Sequence, residues 1–338
     1  MSSKYIITVD GTPFFRDIDG VGRYNHGLLK ALARQNPGVK FIVIGFRGDN
    51  VATSLVPKLA NVDTYLLPLP RRIYQILFAR LIAIPVDRLL PFQAMLHIAG
   101  NFTLFPYVRR SPTLTIIHDL AYKDLPETVS KRNRTFLSRR VPWSIKRSGG
   151  VGVISNFTKE RLLAAYPIAL KKNILIISCG LDEKFFTKIG TSSNKNSRDF
   201  CRENDLPESS YLLAVGTIEP RKNLQLLIDA FVGLPETFQN QHPLLLIGKE
   251  GWGKLLHTYD NPNIYPAGYV ADDILTALYE NAALFISPSL YEGFGMPALE
   301  AYALGVNVAT SDTPTNRELF TKAMGVLFFD PLDVSAIR

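Results

Sequence analysis

The chain has 338 residues, 46% hydrophobic and 20% charged, with 38 Lys and Arg against 30 Asp and Glu for a net charge of +8. That balance excludes a disordered chain, a collagen-like repeat and a small disulfide scaffold, and the length accommodates two domains of about 150 residues each. Met1-Ser2-Ser3-Lys4 runs straight into Tyr5-Ile6-Ile7-Thr8-Val9 without an apolar leader, and the two cysteines, Cys179 and Cys201, lack metal-ligand spacing. The expected compartment is therefore the reducing cytosol.

Short β-branched runs alternate with helical patterns along the whole chain, the signature of parallel sheets with helices on both faces. One set of strands is expected over Tyr5–Val9, Phe41–Ile44, Thr113–Ile117, Gly150–Ile154 and Ile174–Ile177. A second set is expected over Tyr211–Val215, Leu244–Ile247, Leu284–Ser287, Val306–Ala309 and Val326–Phe329. The polar stretch 188–210, with Gly190-Thr191-Ser192-Ser193-Asn194 near its start, reads as a linker. The fold class is thus α/β: two Rossmann-like parallel-sheet domains, 1–187 and 211–338, facing across a cleft where the carboxyl ends of the strands would meet a ligand.

In chain order, the first candidate residues are Asp17 and Asp19. A spaced aspartate pair can hold a divalent cation, but in a loop just before a glycine turn the plainer reading is loop structure. Gly20-Val21-Gly22 follows at a helix start. It is either a tight structural turn or a place where backbone amides approach a phosphate.

The apolar stretch from Ile73 to Phe92 is broken by Arg80, Pro85, Asp87 and Arg88, so it is too interrupted to cross a membrane. Ile73, Leu77, Phe78, Leu81 and Ile84, flanked by Arg71, Arg72, Arg80 and Arg88, read first as core packing beneath a surface helix and second as a helix lying on a membrane. His118 ends the strand Thr113–Ile117, where a histidine serves either structure or catalysis. Lys131, Arg132, Arg134, Arg139, Arg140, Lys146 and Arg147 then alternate with Phe136, Leu137, Val141, Trp143 and Ile145 in a basic amphipathic pattern. That pattern is either a solvated face or a contact for a phosphate-bearing lipid or other acidic partner. Residues 1–150 carry 22 basic and 9 acidic side chains, against 16 and 21 in 151–338, so the positive field belongs to the first half.

In the second half, Arg221 and Lys222 follow Pro220 just before a helix. They either decorate a loop or hold a diphosphate leaving group. Glu292 and Glu300 flank Gly293-Phe294-Gly295-Met296-Pro297, with Pro297 suited to a first helical turn. Their carboxylates can accept paired sugar hydroxyls beside the free amides of Phe294 to Met296, or simply complement the helix N-terminus.

Taken together, GTIEPRKN at 216–223 and SLYEGFGMPALEAYALG at 289–305 resemble family 4 of the retaining glycosyltransferases, whose fold is called GT-B. The second string holds the family's paired glutamates, separated by seven residues, with the glycine-phenylalanine-glycine turn between them. GVGRY at 20–24, HDL at 118–120, VISNFTKE at 153–160 and CGLD at 179–182 extend the likeness over nearly the whole chain. The resemblance implies a nucleotide-sugar donor on the second domain and a glycan or lipid-linked acceptor on the first. Arg221 and Lys222 would neutralise the departing diphosphate, approached also by Gly20 and Gly22. Glu300 would hold the ribose, and Gly268-Tyr269-Val270 would lie against the base. Glu292, with the amides of Phe294, Gly295 and Met296, would hold the transferred sugar, which His118 would also reach; His118 and Glu292 are the implied catalytic pair.

The implied chemistry is hexose transfer with retained configuration and no metal or other cofactor. The leading donor is GDP-mannose, by likeness to bacterial mannosyltransferases of cell-surface glycan synthesis; UDP-, ADP- or dTDP-sugars are the alternatives. A noncatalytic GT-B binding subunit is the rival from another class, and the intact glutamate pair argues against it. The basic first half suits a phosphate-bearing acceptor and an anionic membrane surface, with the protein cytoplasmic or peripheral on the inner face of the membrane; no nucleic-acid partner is expected. Three departures stand out. Thr217 replaces an arginine that many members carry, Ser178-Cys179-Gly180 lacks the usual proline, and the chain stops at Ala336-Ile337-Arg338, where members continue through further helices, so a truncated second domain is expected.

Overall fold

Strands form where β-branched and apolar residues run unbroken, and helices where the apolar spacing lengthens. The computed structural model describes residues 5–15, 19–80, 82, 84–182, 185, 198–252, 257 and 260–338. By contact the chain divides into two units, one of Met1–Asp124 with Lys131–Gly180 and one of Leu125–Ser130 with Leu181–Arg338.

Unit 1 has strands β1 Tyr5–Asp10, β2 Val39–Arg47, β3 Val62–Pro70, β4 Leu96–Ala99, β5 Thr113–Ile117, β6 Gly150–Val153 and β7 Asn173–Ile176. They form one sheet in the order β3-β2-β1-β4-β5-β6-β7, and every pairing is parallel, as in Tyr5↔Val39 and Ile7↔Leu96. Its main helices are α1 Gly20–Gln35, α2 Arg71–Ala79, α3 Ala121–Asp124, α4 Lys131–Arg147 and α5 Asn156–Ala165. The order reverses between β1 and β4, the switch point at which sheets of this kind receive ligands.

In unit 2, residues 198–203 form α6. The strands are β8 Tyr211–Val215, β9 Leu244–Ile247, β10 Ile264–Gly268, β11 Ala282–Ser287, β12 Val308–Ser311 and β13 Val326–Phe329, in the parallel order β10-β9-β8-β11-β12-β13. Helices α7 Leu224–Val232, α8 Glu236–Gln241, α9 Asp272–Glu280, α10 Met296–Ala303, α11 Pro314–Leu319 and α12 Val334–Ile337 complete it. Its switch point lies between β8 and β11. Trp252 Nε1 donates to the Thr128 carbonyl at 2.7 Å, tying the excursion Leu125–Ser130 to this unit.

The expected linker 188–210 divides in two. Residues 188–197 lie outside the described residues, whereas α6 places Cys201 in the core of unit 2 beside Tyr211 and Leu213. β12 starts later than the expected Val306. Three strands are absent from the sequence reading: β3, β4 and β10. β3 carries Pro68 and Pro70, β10 carries Pro266, and both are edge strands, where a missing amide donor is tolerated. β4 spans only four residues. Among the described residues no helix is long and apolar enough to cross a membrane.

Candidate functional site

After β8 the chain enters a loop fixed by close backbone contacts. Gly216 N donates to Ile247 O at 2.8 Å, and a Cβ on Gly248 would lie 1.8 Å from Gly216 O, so the loops after β8 and β9 touch through backbone alone. Pro220–Lys222 forms one 3-10 turn, ended by Asn223 in the left-handed region at φ 55. Lys222 folds back over Gly216, with its Cε 3.3 Å from where a Cβ would stand. Leu290 N donates to Arg221 O at 2.9 Å and joins this loop to the one after β11, across the switch point.

These loops assemble four charged side chains. Arg221 Nη1 donates to Tyr291 O at 2.8 Å and to Glu292 Oε2 at 3.0 Å, while its Nε and Nη2 both donate to Glu219 Oε1, at 3.0 and 2.5 Å. Lys222 Nζ donates to Glu292 Oε1 at 2.6 Å. The side chains of Arg221, Lys222, Glu292 and Glu219 are 18, 13, 10 and 4% exposed, so their attractions are only weakly screened. Burial by itself would raise the Glu292 carboxyl. The Lys222 and Arg221 cations, with hydrogen bonds from Lys222 and Ser289, outweigh it and hold the group at about 2.

Glu219 is the member of this cluster that the sequence reading missed. Its signal is the spacing Glu219-Pro220-Arg221: a proline-initiated turn brings the carboxylate back onto the guanidinium two residues later. Two cations and two carboxylates cancel formally, so any anion drawn to Lys222 and Arg221 must compete with Glu292.

Glu292 is anchored through its backbone by Thr315 Oγ1, which donates to Glu292 O at 2.7 Å. Gly295, at φ +93, turns the chain into α10, with Met296 and Pro297 opening the helix and Phe294 just before the cap. Glu300 lies inside α10, 3% exposed, and accepts from Tyr279 OH at 3.0 Å. The structure therefore joins Glu292 to Arg221 and Lys222, while Tyr279 of α9 donates to Glu300 on α10. The Val270 side chain is 3% exposed within the hydrophobic core of unit 2, so only its backbone is available to a ligand. The outward side chain of that segment is Tyr269, 46% exposed, with Lys249 Nζ 4.7 Å from its ring centre.

In unit 1, Asp19 caps α1, and its Oδ1 accepts from Gly22 N at 2.7 Å. A Cβ on Gly22 would stand 3.1 Å from Pro13 O, whereas one on Gly20 would meet nothing within 4 Å. Gly22 is thus a packing glycine with its amide committed, and Gly20 is the open position of the pair. Asp17 lies outside the described residues. Among the described residues no group of three or more His, Cys, Asp or Glu is placed to hold a metal ion.

His118 follows β5 and is 6% exposed. Its Nε2 lies 2.8 Å from Gly100 O, and a carbonyl only accepts, so Nε2 carries the hydrogen. Tyr24 meets the imidazole edge-on at 4.9 Å, and Phe102 packs on it at 5.1 Å. Gly100 O also accepts from Asn25 Nδ2 at 2.9 Å. A Cβ on Gly100 would lie 1.7 Å from Asn25 Oδ1, which explains the glycine at the end of the strand beside the switch point.

Residues 18–185 match the model for Glycosyltransferase Family 4, and residues 197–338 the model for Glycosyl transferases group 1. The chain is 28% identical over 349 residues to the O-antigen chain mannosyltransferase B of Escherichia coli, covering 96% of this chain and 86% of that protein. It is 31% identical over 203 residues to the serotype-specific mannosyltransferase WbdA of Escherichia coli, covering 57% of this chain and 24% of that one. Among solved structures it is similar to sucrose-phosphate synthase of Thermosynechococcus elongatus, with TM-score 0.70 and 18% identity over 99% of this chain and 88% of that one. WaaG, a glycosyltransferase involved in lipopolysaccharide biosynthesis, matches with TM-score 0.68 and 14% identity over 98% and 88%. Two parallel-sheet units with these neighbours make the fold GT-B.

Proposed function

The chain belongs to family 4 of the glycosyltransferases, and we propose that it moves mannose from GDP-mannose, with retained configuration, to a lipid-linked or lipopolysaccharide-type glycan. The observation that carries this reading is the buried Glu219–Arg221–Glu292–Lys222 cluster at the switch point of unit 2. The relatives named above as O-antigen and serotype-specific mannosyltransferases supply the sugar and the glycan class. Cytoplasmic placement, with unit 1 peripheral on an anionic membrane surface, belongs to the same reading, and both cysteines are free thiols as a reducing compartment allows.

The reaction breaks the bond between the sugar's anomeric carbon and the diphosphate and forms one to an acceptor hydroxyl oxygen. The leaving phosphate oxygen takes the acceptor proton on the same face, so the products are GDP and a glycan longer by one hexose. Arg221 and Lys222 supply two fixed cations where negative charge develops, and no metal is needed in this scheme. As the diphosphate draws Lys222 and Arg221, Glu292 is released to accept from the sugar hydroxyls beside the amides of Phe294, Gly295 and Met296. Glu300 takes the ribose, the backbone at Val270 takes the base, Gly20 approaches the diphosphate, and His118 contacts the transferred sugar.

Calorimetric titration with GDP, UDP, ADP and dTDP, each with and without a chelator, tests the donor. GDP binding that survives the chelator and disappears in Arg221→Ala/Lys222→Ala is expected. Preference for another base, or binding lost to the chelator, would overturn the donor assignment or the metal-free scheme respectively. The anomeric configuration of the product, read by NMR, decides retention.

A further inference from the structure

Two basic stretches that are distant in sequence meet in unit 1. α2 turns Tyr74 and Phe78 inward, 2 and 1% exposed, and leaves Ile73 and Ile76 outward at 55 and 54%. Just beyond the helix Ile82 and Ile84 are 50 and 46% exposed. The expected inward face is corrected accordingly: Phe78 packs, Ile73 and Ile84 do not, and Leu81 lies outside the described residues.

α4 closes over the inward side of α2. Trp143 meets the Phe78 ring edge-on at 5.5 Å, and the Arg140 guanidinium lies 3.4 Å from the centre of Phe78 and 4.1 Å from that of Trp143. Arg140 is fully buried, and none of its three guanidinium nitrogens has a hydrogen-bond partner among the described residues. The seam between the helices is thus a cation held between two rings. It leaves the isoleucines no role in packing α2 onto unit 1.

The exposed charge on α2 and the segment after it has one sign, while Asp49, in the loop after β2, pairs with Arg71 at the start of α2 and is largely buried. Arg72, Arg80 and Arg88 are exposed, and Asp87, the one acidic residue between 71 and 92, is buried and accepts from the amides of Arg109 and Arg110. α4 contains no acidic residue. A symmetric contact between two copies would set these arginines against one another, and a soluble anion would leave the isoleucines in water.

We propose that the α2 face of unit 1 docks on an anionic lipid bilayer, with Ile73, Ile76, Ile82 and Ile84 entering the boundary between headgroups and acyl chains and Arg72 and Arg80 meeting lipid phosphates. This deepens the membrane-facing reading of unit 1 and does not depend on the donor, since its test involves no sugar transfer.

Sedimentation with vesicles of phosphatidylcholine alone, or mixed with phosphatidylglycerol, reads the binding at low and high salt. Binding to the mixed vesicles that weakens with salt is expected. Ile73→Ser/Ile76→Ser and Arg72→Glu/Arg80→Glu should each weaken it at least about thirtyfold, with melting temperature and nucleotide binding unchanged. Equal binding to both vesicle types, no binding, or binding unchanged in the isoleucine variant overturns the proposal. So does a wild-type dimer in analytical ultracentrifugation that the isoleucine variant converts to monomer.

Discussion

Lys222 Nζ and Glu292 Oε1 are 2.6 Å apart although 70 positions separate the two residues in sequence. The contact joins the loop after β8 to the loop after β11, the two strands that flank the switch point of unit 2. Each loop alone carries only a local charge pattern. Brought together, they hold two cations in fixed positions, the electrostatic preorganisation that the proposed diphosphate contact requires.

Replacing Glu292 with Gln should lower stability in a pH-dependent way. The carboxyl, at about 2 in the folded protein against an ordinary 4.5, binds fewer protons folded than unfolded between those values. Its contribution is therefore complete above pH 4.5, on the order of 3 kcal/mol, and is lost as pH falls toward 2. Urea titrations of both proteins should show a gap at neutral pH that shrinks to less than half by about pH 3. A gap independent of pH would mean that Glu292 acts through shape alone.

Glu219 takes the Nε and Nη2 of the guanidinium and leaves Nη1 on Tyr291 and Glu292. Glu219→Gln should loosen Arg221 and reduce kcat/KM for the donor about tenfold, more through KM than kcat. Arg221→Lys should lose at least as much, because a single ammonium cannot reach Glu219, Tyr291 O and Glu292 together. Steady-state kinetics checks both, with melting temperatures measured alongside because each variant also breaks a buried ion pair and should lose stability.

The sequence exposes Arg221, Lys222 and Glu292 because charged residues set among glycine and proline advertise loops at strand ends. It does not expose their pairing, nor that of Tyr279 with Glu300, since both depend on which strands lie side by side. Central strands such as Tyr211–Val215 and Leu244–Ile247 read correctly from apolar runs buried on both faces. The edge strands β3 and β10 hide behind prolines, and Val270 follows an exposed tyrosine yet points into the core. Periodicity over three residues cannot settle that choice.

Gly20 and Gly22 should separate on substitution. Gly22→Ala places a methyl 3.1 Å from Pro13 O and 3.3 Å from Leu55 Cδ1, and should destabilise unit 1 by about 1 to 3 kcal/mol. Gly20→Ala meets nothing and fills the first position of α1, so its stability should hold or rise by about 0.5 kcal/mol. If the Gly20 backbone approaches the donor diphosphate as proposed, donor affinity measured by calorimetry should nonetheless fall in Gly20→Ala, because the methyl blocks that approach. Unchanged affinity would remove Gly20 from the donor site.

His118→Phe separates structure from chemistry at the end of β5. The phenyl ring can keep the contacts with Tyr24 and Phe102, and Gly100 O keeps its bond from Asn25 when the imidazole's is lost. The Gly100 carbonyl is not orphaned, so the stability cost of losing that bond should stay below about 1.5 kcal/mol. Turnover should fall about a hundredfold if the imidazole contacts the transferred sugar, since a polar contact strengthened in the transition state lowers the barrier by a few kcal/mol. Donor binding, read separately by calorimetry with GDP, should be unchanged, because that nucleotide lacks the sugar His118 is assigned to contact. Equal loss of turnover and stability would instead make His118 a packing residue at the tip of its strand.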